Sequence, residues 1–197
     1  MKGRLLKSVI GVTLASIGIA CTLNCGLGAF SMTLAYKSLS LLIGVPLAII
    51  NIGCDFIMLL IAKRINKEKK IIGITTIITM TYGSVLINIF HEILPYNGWL
   101  CWFALLIPIG WAISGKARLG DNSSNILVRE LMRKYNVKVD LARFVIDFIF
   151  LLIACVKLLD MVTWFTLFLT FGGCYILRIV YRIIGYKPKA TEHDFII

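Results

Sequence analysis

The chain has 197 residues, of which 59% are hydrophobic and 16% are charged, and its formal net charge is +11. Soluble domains carry about 25% charged residues, so this composition argues against a soluble fold. The apolar residues form blocks of about 20 residues, the length that a helix needs to cross the hydrocarbon core of a bilayer. Strands of a membrane barrel would alternate over about ten residues, which these blocks do not. The sequence therefore predicts an all-α, polytopic membrane protein.

Six transmembrane spans are predicted in chain order, and the distribution of basic residues sets their orientation. With the N-terminus inside, every Lys and Arg except Lys37 and Lys157 falls on the cytoplasmic side, as the positive-inside rule requires. This pattern accounts for the net charge without a nucleic-acid partner, and it predicts contact with an anionic cytoplasmic leaflet. Both termini are then cytoplasmic, with residues 185–197 as a tail. The predicted spans are residues 6–24, 44–62, 71–92, 98–115, 141–157 and 161–184.

An internal repeat relates the two halves of the chain at an offset of 92 residues. Residues 55–62 read DFIMLLIA, and residues 147–154 read DFIFLLIA. The same offset aligns the LG pair at residues 27–28 with the LG pair at residues 119–120 without a gap. Two matches at one constant spacing indicate a duplication of about half the chain.

Each half is also predicted to contain a short helix after its first span, at residues 31–40 and 123–135. A glycine precedes each helix and allows a sharp turn at the membrane edge. A Gly or Asn follows each helix, and these residue types most readily end a helix in the left-handed conformation. The second short helix is amphipathic and basic, which favours the membrane interface. The turn residues are Gly28 and Gly120, and the cap residues are Gly44 and Asn136.

The duplication predicts two repeats of three spans each, residues 1–93 and residues 94–184. Because three is an odd number, the second repeat must enter the membrane inverted relative to the first. Inverted repeats are the plan of many secondary transporters, in which the substrate site lies near the midplane between the repeats.

Asp55 and Asp147 are predicted to lie within spans, at equivalent positions of the two repeats. A carboxylate at such a depth costs about 2.5–3.5 kcal/mol on insertion scales, so it is a candidate functional group. The two acids could bind a cation or relay protons near the midplane. In the alternative interpretation both are structural, and Asp147 pairs with Arg143 one helical turn earlier.

Other polar residues in or beside the spans are further candidates. Asn51, Asn88 and Asn125 could contact a solute, although hydrogen bonds between helices are the simpler explanation. His91 and Glu92, at the outer end of the third span, could form a proton-accessible gate. A solvated pair at the interface would look the same in the sequence.

The paired turns resemble those of the YczE/YitT-type (YyaS/YczE) family of bacterial integral membrane proteins. The resemblance lies in CGLGAFSMTL at residues 25–34 and ARLGDNSSNIL at residues 117–127, and it extends over about residues 5–184. It implies a bacterial cell-membrane protein but no particular substrate. The family pattern has Pro and Asp after each LG pair. Here Ser31 and Ser123 stand at the Pro positions, and Thr33 and Asn125 stand at the Asp positions.

The chain has no nucleotide-binding glycine loop, no HExxH pair and no Ser/His/Asp constellation, and its six cysteines form no CxxC pair. We therefore expect no enzyme activity, no cofactor and no metal site. The inverted repeats and paired acids favour a transporter or permease for an unknown small solute, with proton coupling as one mechanism. A membrane accessory or scaffold protein is an alternative, as is a six-span binding subunit of a vitamin uptake system. The short chain is compatible with a homodimer.

Overall fold

The computed structural model describes residues 2–66 and 72–185, and this part of the chain is helical, without a strand. A π-helical turn at Thr79–Gly83 joins two of the helices, and a 3-10 helix at Gly98–Leu105 leads into another. The α-helices are α1 Lys2–Asn24, α2 Ser31–Ile43, α3 Leu47–Ile65, α4 Ile74–Ile78, α5 Ser84–Ile93, α6 Leu106–Lys116, α7 Ser123–Tyr135, α8 Val139–Leu158 and α9 Trp164–Ile184.

The helices coincide with the segments in which spans and short helices were predicted. The ends of α1, α3, α8 and α9 lie within four residues of the predicted ends, and α7 has the predicted bounds. Apolar block length and local cap residues therefore place these helices, but a π-helical turn interrupts the predicted third span and the fourth begins as a 3-10 helix. The predicted cytoplasmic tail lies outside the described residues, except for Gly185.

Three helical segments are long and apolar enough to cross a membrane, namely Lys2–Asn24, Ile74–Ile93 and Gly98–Lys116. A fourth crossing is added if α2 and α3, which meet at a bend of 118°, count together as one broken span. These counts refer to the described residues. The helix α8 is also long, but it carries several charged residues, among them Arg143, Asp147 and Lys157, and it is not among these segments.

Polar side chains are buried between the helices, and large apolar side chains cover the outside. Trp164 is 86% exposed and Trp102 is 76% exposed, whereas Asp55 is 6% exposed. A soluble protein rarely exposes so many large apolar side chains. The fold thus has the surface expected of a protein in contact with lipid.

A glycine in the left-handed conformation and a proline determine the connection between α2 and α3. Gly44 has φ 75° and donates its N–H to the carbonyl of Ser40, 2.9 Å away, which ends α2. Pro46 then precedes the first residue of α3, where it cannot extend the earlier helix. Asn136, with φ 51°, ends α7 in the same left-handed conformation.

Helices α1 and α6 cross with their backbones in direct contact. A Cβ atom on Gly11 would lie 2.5 Å from the carbonyl oxygen of Gly110, and one on Gly110 would lie 2.5 Å from the amide nitrogen of Ala15. Gly18 makes the corresponding contact with Ile107, because these two residues are the counterparts of Gly110 and Ala15 at the offset of 92. Small residues permit this close packing of helices in lipid.

We predict that Gly110→Ala lowers the midpoint of thermal unfolding in detergent, because the added methyl group meets backbone atoms that cannot move independently of α1. Overpacking of this kind costs about 1–3 kcal/mol. Gly53→Ala is the matched control, since a Cβ at that exposed position of α3 has no neighbour within 4 Å. It should leave the midpoint unchanged or raise it, because Ala favours a helix over Gly by about 1 kcal/mol. Equal effects of the two substitutions would contradict the close crossing.

Candidate functional site

Asp55 lies on α3, where donors from two other helices converge on one of its oxygens. Tyr36 of α2 donates its Oη–H to Oδ1 over 3.2 Å, and Ser123 of α7 donates its Oγ–H to the same atom over 2.6 Å. Within the described part of the chain, Oδ2 accepts no hydrogen bond and no Lys or Arg forms a salt bridge with Asp55. Asp55 is thus held in place by neutral donors, with one oxygen available.

A cavity of about 60 Å³ adjoins Asp55 between α1, α2, α3 and the π-helical turn. Its wall is mixed, with apolar side chains interleaved with hydroxyl, amide and carboxylate groups. This arrangement could orient a small polar molecule or ion in an otherwise apolar bundle. The polar side chains in the wall are Ser16, Thr33, Tyr36, Asn51, Asp55, Thr79, Asn122 and Ser123.

Asp147, the counterpart of Asp55 on α8, has a cationic partner. The Nε atom of Arg143 lies 3.4 Å from Oδ2 of Asp147, and the Ser31 side chain at the start of α2 lies beside the same carboxylate. The Arg143 guanidinium also donates through Nη1 to Oδ1 of Asn125, 2.7 Å away. The charge of this acid is therefore balanced within its own helix.

Each acid lies beside the first residue of a short helix in the opposite half of the chain. Ser123 begins α7 and donates a hydrogen bond to Asp55, while Ser31 begins α2 and lies beside Asp147. Both serines are buried, and the two contacts are counterparts of each other, because the two serines are 92 residues apart and so are the two acids. Each short helix is thus anchored to a span of the other half.

The turn glycines lie where the chain makes close contacts between the halves. Gly28 has φ 106°, and a Cβ there would lie 2.7 Å from the carbonyl oxygen of Met161, just before α9. Gly120 has φ 127°, and a Cβ there would lie 2.8 Å from Cα of Gly73, just before α4. Both the positive φ and the contact require glycine at these turns.

Among the other predicted site residues, only Asn51 joins Asp55 in the cavity wall, whereas Asn125 belongs to the cluster around Asp147. Asn88 donates to Oε1 of Glu92 over 2.6 Å, on the surface of α5. His91 is hydrogen-bonded through Nδ1 to the side chain of Asn24 at the end of α1. Asn88, His91 and Glu92 therefore lie on α5, away from both acids.

The sequence interpretation missed the residues that contact the acids. Ser31 and Ser123 stood out only as departures from a family pattern, and Tyr36 did not stand out at all. The internal repeat could have identified the two serines, because the offset of 92 pairs Ser31 with Ser123 just as it pairs Asp55 with Asp147. Matched polar residues in two repeats are thus candidates for mutual contact.

A second cavity, of about 290 Å³, lies between α6 and α9. Its wall is built almost entirely of apolar and aromatic side chains, among them Phe30, Trp111 and Phe165. Trp111 also contributes to the wall of the Asp55 cavity. Because the larger cavity offers no titratable carboxylate, the chemistry of the site resides in the smaller one.

Comparison with known proteins gives one family match. Residues 2–182 match the sequence profile of DUF6198, described as a family of unknown function. No curated protein and no solved structure matches the chain significantly.

We predict that Arg143→Gln destabilises the protein by about 3 kcal/mol, at the lower end of the range for a broken buried ion pair, because the Arg143 side chain is 21% exposed. The substitution leaves Asp147 without its cation. The double variant Arg143→Gln/Asp147→Asn should recover much of the loss, since neither charge then remains. The measurement is thermal unfolding of the purified protein in detergent.

Asp55→Asn is the control for this series. The Asn amide oxygen can accept the same bonds from Tyr36 and Ser123, so the midpoint should change much less than in Arg143→Gln. A midpoint for Arg143→Gln equal to that of wild type would show that the pair with Asp147 contributes nothing to the fold.

Proposed function

The chain belongs to the DUF6198 family, and we propose that it is a small-solute transporter of six spans, built from two inverted repeats of three spans each. Repeat 1 is residues 1–93, repeat 2 is residues 94–184, and both termini are cytoplasmic in a bacterial cell membrane. The resemblance to the YczE/YitT-type family is part of this proposal. The observation that most directly supports this proposal is Asp55, a buried carboxylate at the junction of the two halves.

Contacts between the halves support the inverted arrangement. The helix α2 packs on α8, and its counterpart α7 packs on α3. The crossing of α1 with α6 and the two serine-to-acid contacts follow the same offset of 92. Such reciprocity is expected when two copies of one unit are related by a twofold axis. The positive-inside distribution then assigns opposite orientations to the copies.

The setting of Asp55 supports transport over a purely structural role. A carboxylate in a nonpolar environment costs free energy unless a cation or proton balances it. Asp147 has such a cation in Arg143, whereas Asp55 has two hydroxyl donors and a cavity. A solute or proton that binds at Asp55 supplies the positive charge that balances the carboxylate. When it leaves, the hydrogen bonds from Tyr36 and Ser123 remain, so the surrounding structure changes little.

We predict that, in proteoliposomes, Asp55→Asn reduces solute flux to the level of empty liposomes while the protein stays folded. The assay screens small solutes with and without a pH gradient, and a gradient-dependent flux would identify a proton-coupled carrier. Asp160→Asn is the matched control, because it makes the same chemical change at an exposed position between α8 and α9. It should retain the wild-type flux.

Two outcomes would overturn the transport proposal. One is a folded wild-type protein that moves no solute in the screen. The other is flux that is equal in Asp55→Asn and wild type. Either result would favour the accessory or scaffold role, in which the buried acids serve only to hold the short helices.

A separate prediction concerns the orientation of the repeats. A membrane-impermeant maleimide added to intact cells should label Leu27→Cys, in the exposed first turn, but not Lys134→Cys, on the exposed end of α7. Permeabilised cells should label both. The wild type is the control, since the described cysteines are buried or half-buried. Labelling of both positions from one side would contradict the inverted arrangement.

A further inference from the structure

The offset of 92 places a different residue beside each of the two acids. Arg143, one turn before Asp147 on α8, corresponds to Asn51, one turn before Asp55 on α3. Asn125, which accepts a hydrogen bond from Arg143, corresponds to Thr33. Each of the two sites therefore has an aspartate and a serine, but only the Asp147 site also has an arginine.

In the second half, the guanidinium of Arg143 lies between a carboxylate and an amide. Its Nε is 3.4 Å from Asp147 and its Nη1 is 2.7 Å from Asn125. The counterparts of all three residues, Asp55, Thr33 and Asn51, line the 60 Å³ cavity in the first half. Where one half contains a guanidinium, the other half thus contains a cavity with the same acid in its wall.

We propose that this cavity binds a compact organic cation, with a guanidinium or primary ammonium head, in the way that its counterpart holds the Arg143 side chain. The proposal rests on the proposed function and names the substrate class of that transporter. Asp55 supplies the charge through Oδ2, and Asn51 and Thr33 supply neutral oxygen acceptors for the remaining N–H groups. Tyr36 and Ser123 keep the carboxylate in position from the other side.

The size and chemistry of the wall favour an organic cation over an inorganic one. At about 30 Å³ for each molecule of liquid water, 60 Å³ suits a head group of a few non-hydrogen atoms. Ile19, Met32 and Leu47 also line the cavity and cannot replace the oxygen ligands of a hydrated metal ion. A guanidinium is more weakly hydrated than an ammonium ion and pairs readily with a carboxylate in a dry site.

The test measures binding to the purified full-length protein in detergent. Methylguanidinium chloride or ethylammonium chloride replaces sodium chloride at constant ionic strength in the low millimolar range, and thermal unfolding is followed. The wild type should show a concentration-dependent rise of the midpoint by a few degrees. Asp55→Asn should show none, and Asp160→Asn, which loses the same charge at an exposed position, should respond as the wild type does.

Two further variants use the internal counterpart directly. Asn51→Arg places a guanidinium on α3 with the spacing that Arg143 has to Asp147, so it should raise the midpoint without ligand and abolish the response to methylguanidinium. Arg143→Ala removes the natural guanidinium, and methylguanidinium should restore part of its lost midpoint. This rescue is a positive control, because it shows that the probe enters a site of this kind.

The proposal is overturned if the wild-type midpoint does not respond to either cation while Arg143→Ala is rescued, or if Asp55→Asn responds as the wild type does. Should Asn51→Arg fail to fold, the comparison of Asp55→Asn with Asp160→Asn still decides. Binding without flux in liposomes would support the cation site and refute transport. Asp55-dependent flux of another solute, without binding of either cation, would refute the cation site and support transport.

Discussion

The fold depends on two carboxylates that are buried where water cannot solvate them. Each must find donors inside the protein, because an unsatisfied charge in a nonpolar environment costs several kcal/mol. Ser123 donates a hydrogen bond to Asp55 and Ser31 lies beside Asp147, so each acid has a serine neighbour from the opposite half of the chain. Neither half alone can satisfy its own acid in this way. The buried polar groups thus link the packing of one half to that of the other.

A duplicated acid need not have a duplicated role. At Asp147 the charge is balanced by Arg143 on the same helix, and the pair can persist through any rigid movement of α8. At Asp55 the donors Tyr36 and Ser123 belong to α2 and α7, so its environment changes if either short helix moves relative to α3. A site that couples binding to movement needs this kind of dependence. The two halves thus combine one fixed ion pair with one carboxylate that responds to its surroundings.

The sequence predicted most of the helices and the position of both acids, because these follow from local properties. Block length determines the spans, and Gly44 and Asn136 end the short helices through their own backbone preferences. The partners of the acids were not predictable in the same way, since Ser123 is 68 residues from Asp55 and only the packing of α7 on α3 brings them together. Nor could composition predict that His91 of α5 is hydrogen-bonded to the side chain of Asn24 at the end of α1.

The residue one turn before each acid, Asn51 in the first half and Arg143 in the second, determines whether that acid has a cationic partner on its own helix. Both residues lie one turn before an acid, on the same helix face, and a serine side chain lies beside the acid in each case. An arginine contributes its own guanidinium and fills the space beside the carboxylate, while an asparagine is shorter and cannot neutralise it. The ion pair that Arg143 forms is therefore absent from the first half, which has a cavity and a carboxylate without a cationic partner among the described residues. Under the proposed function, such a difference places the binding chemistry in one half and the rigid support in the other.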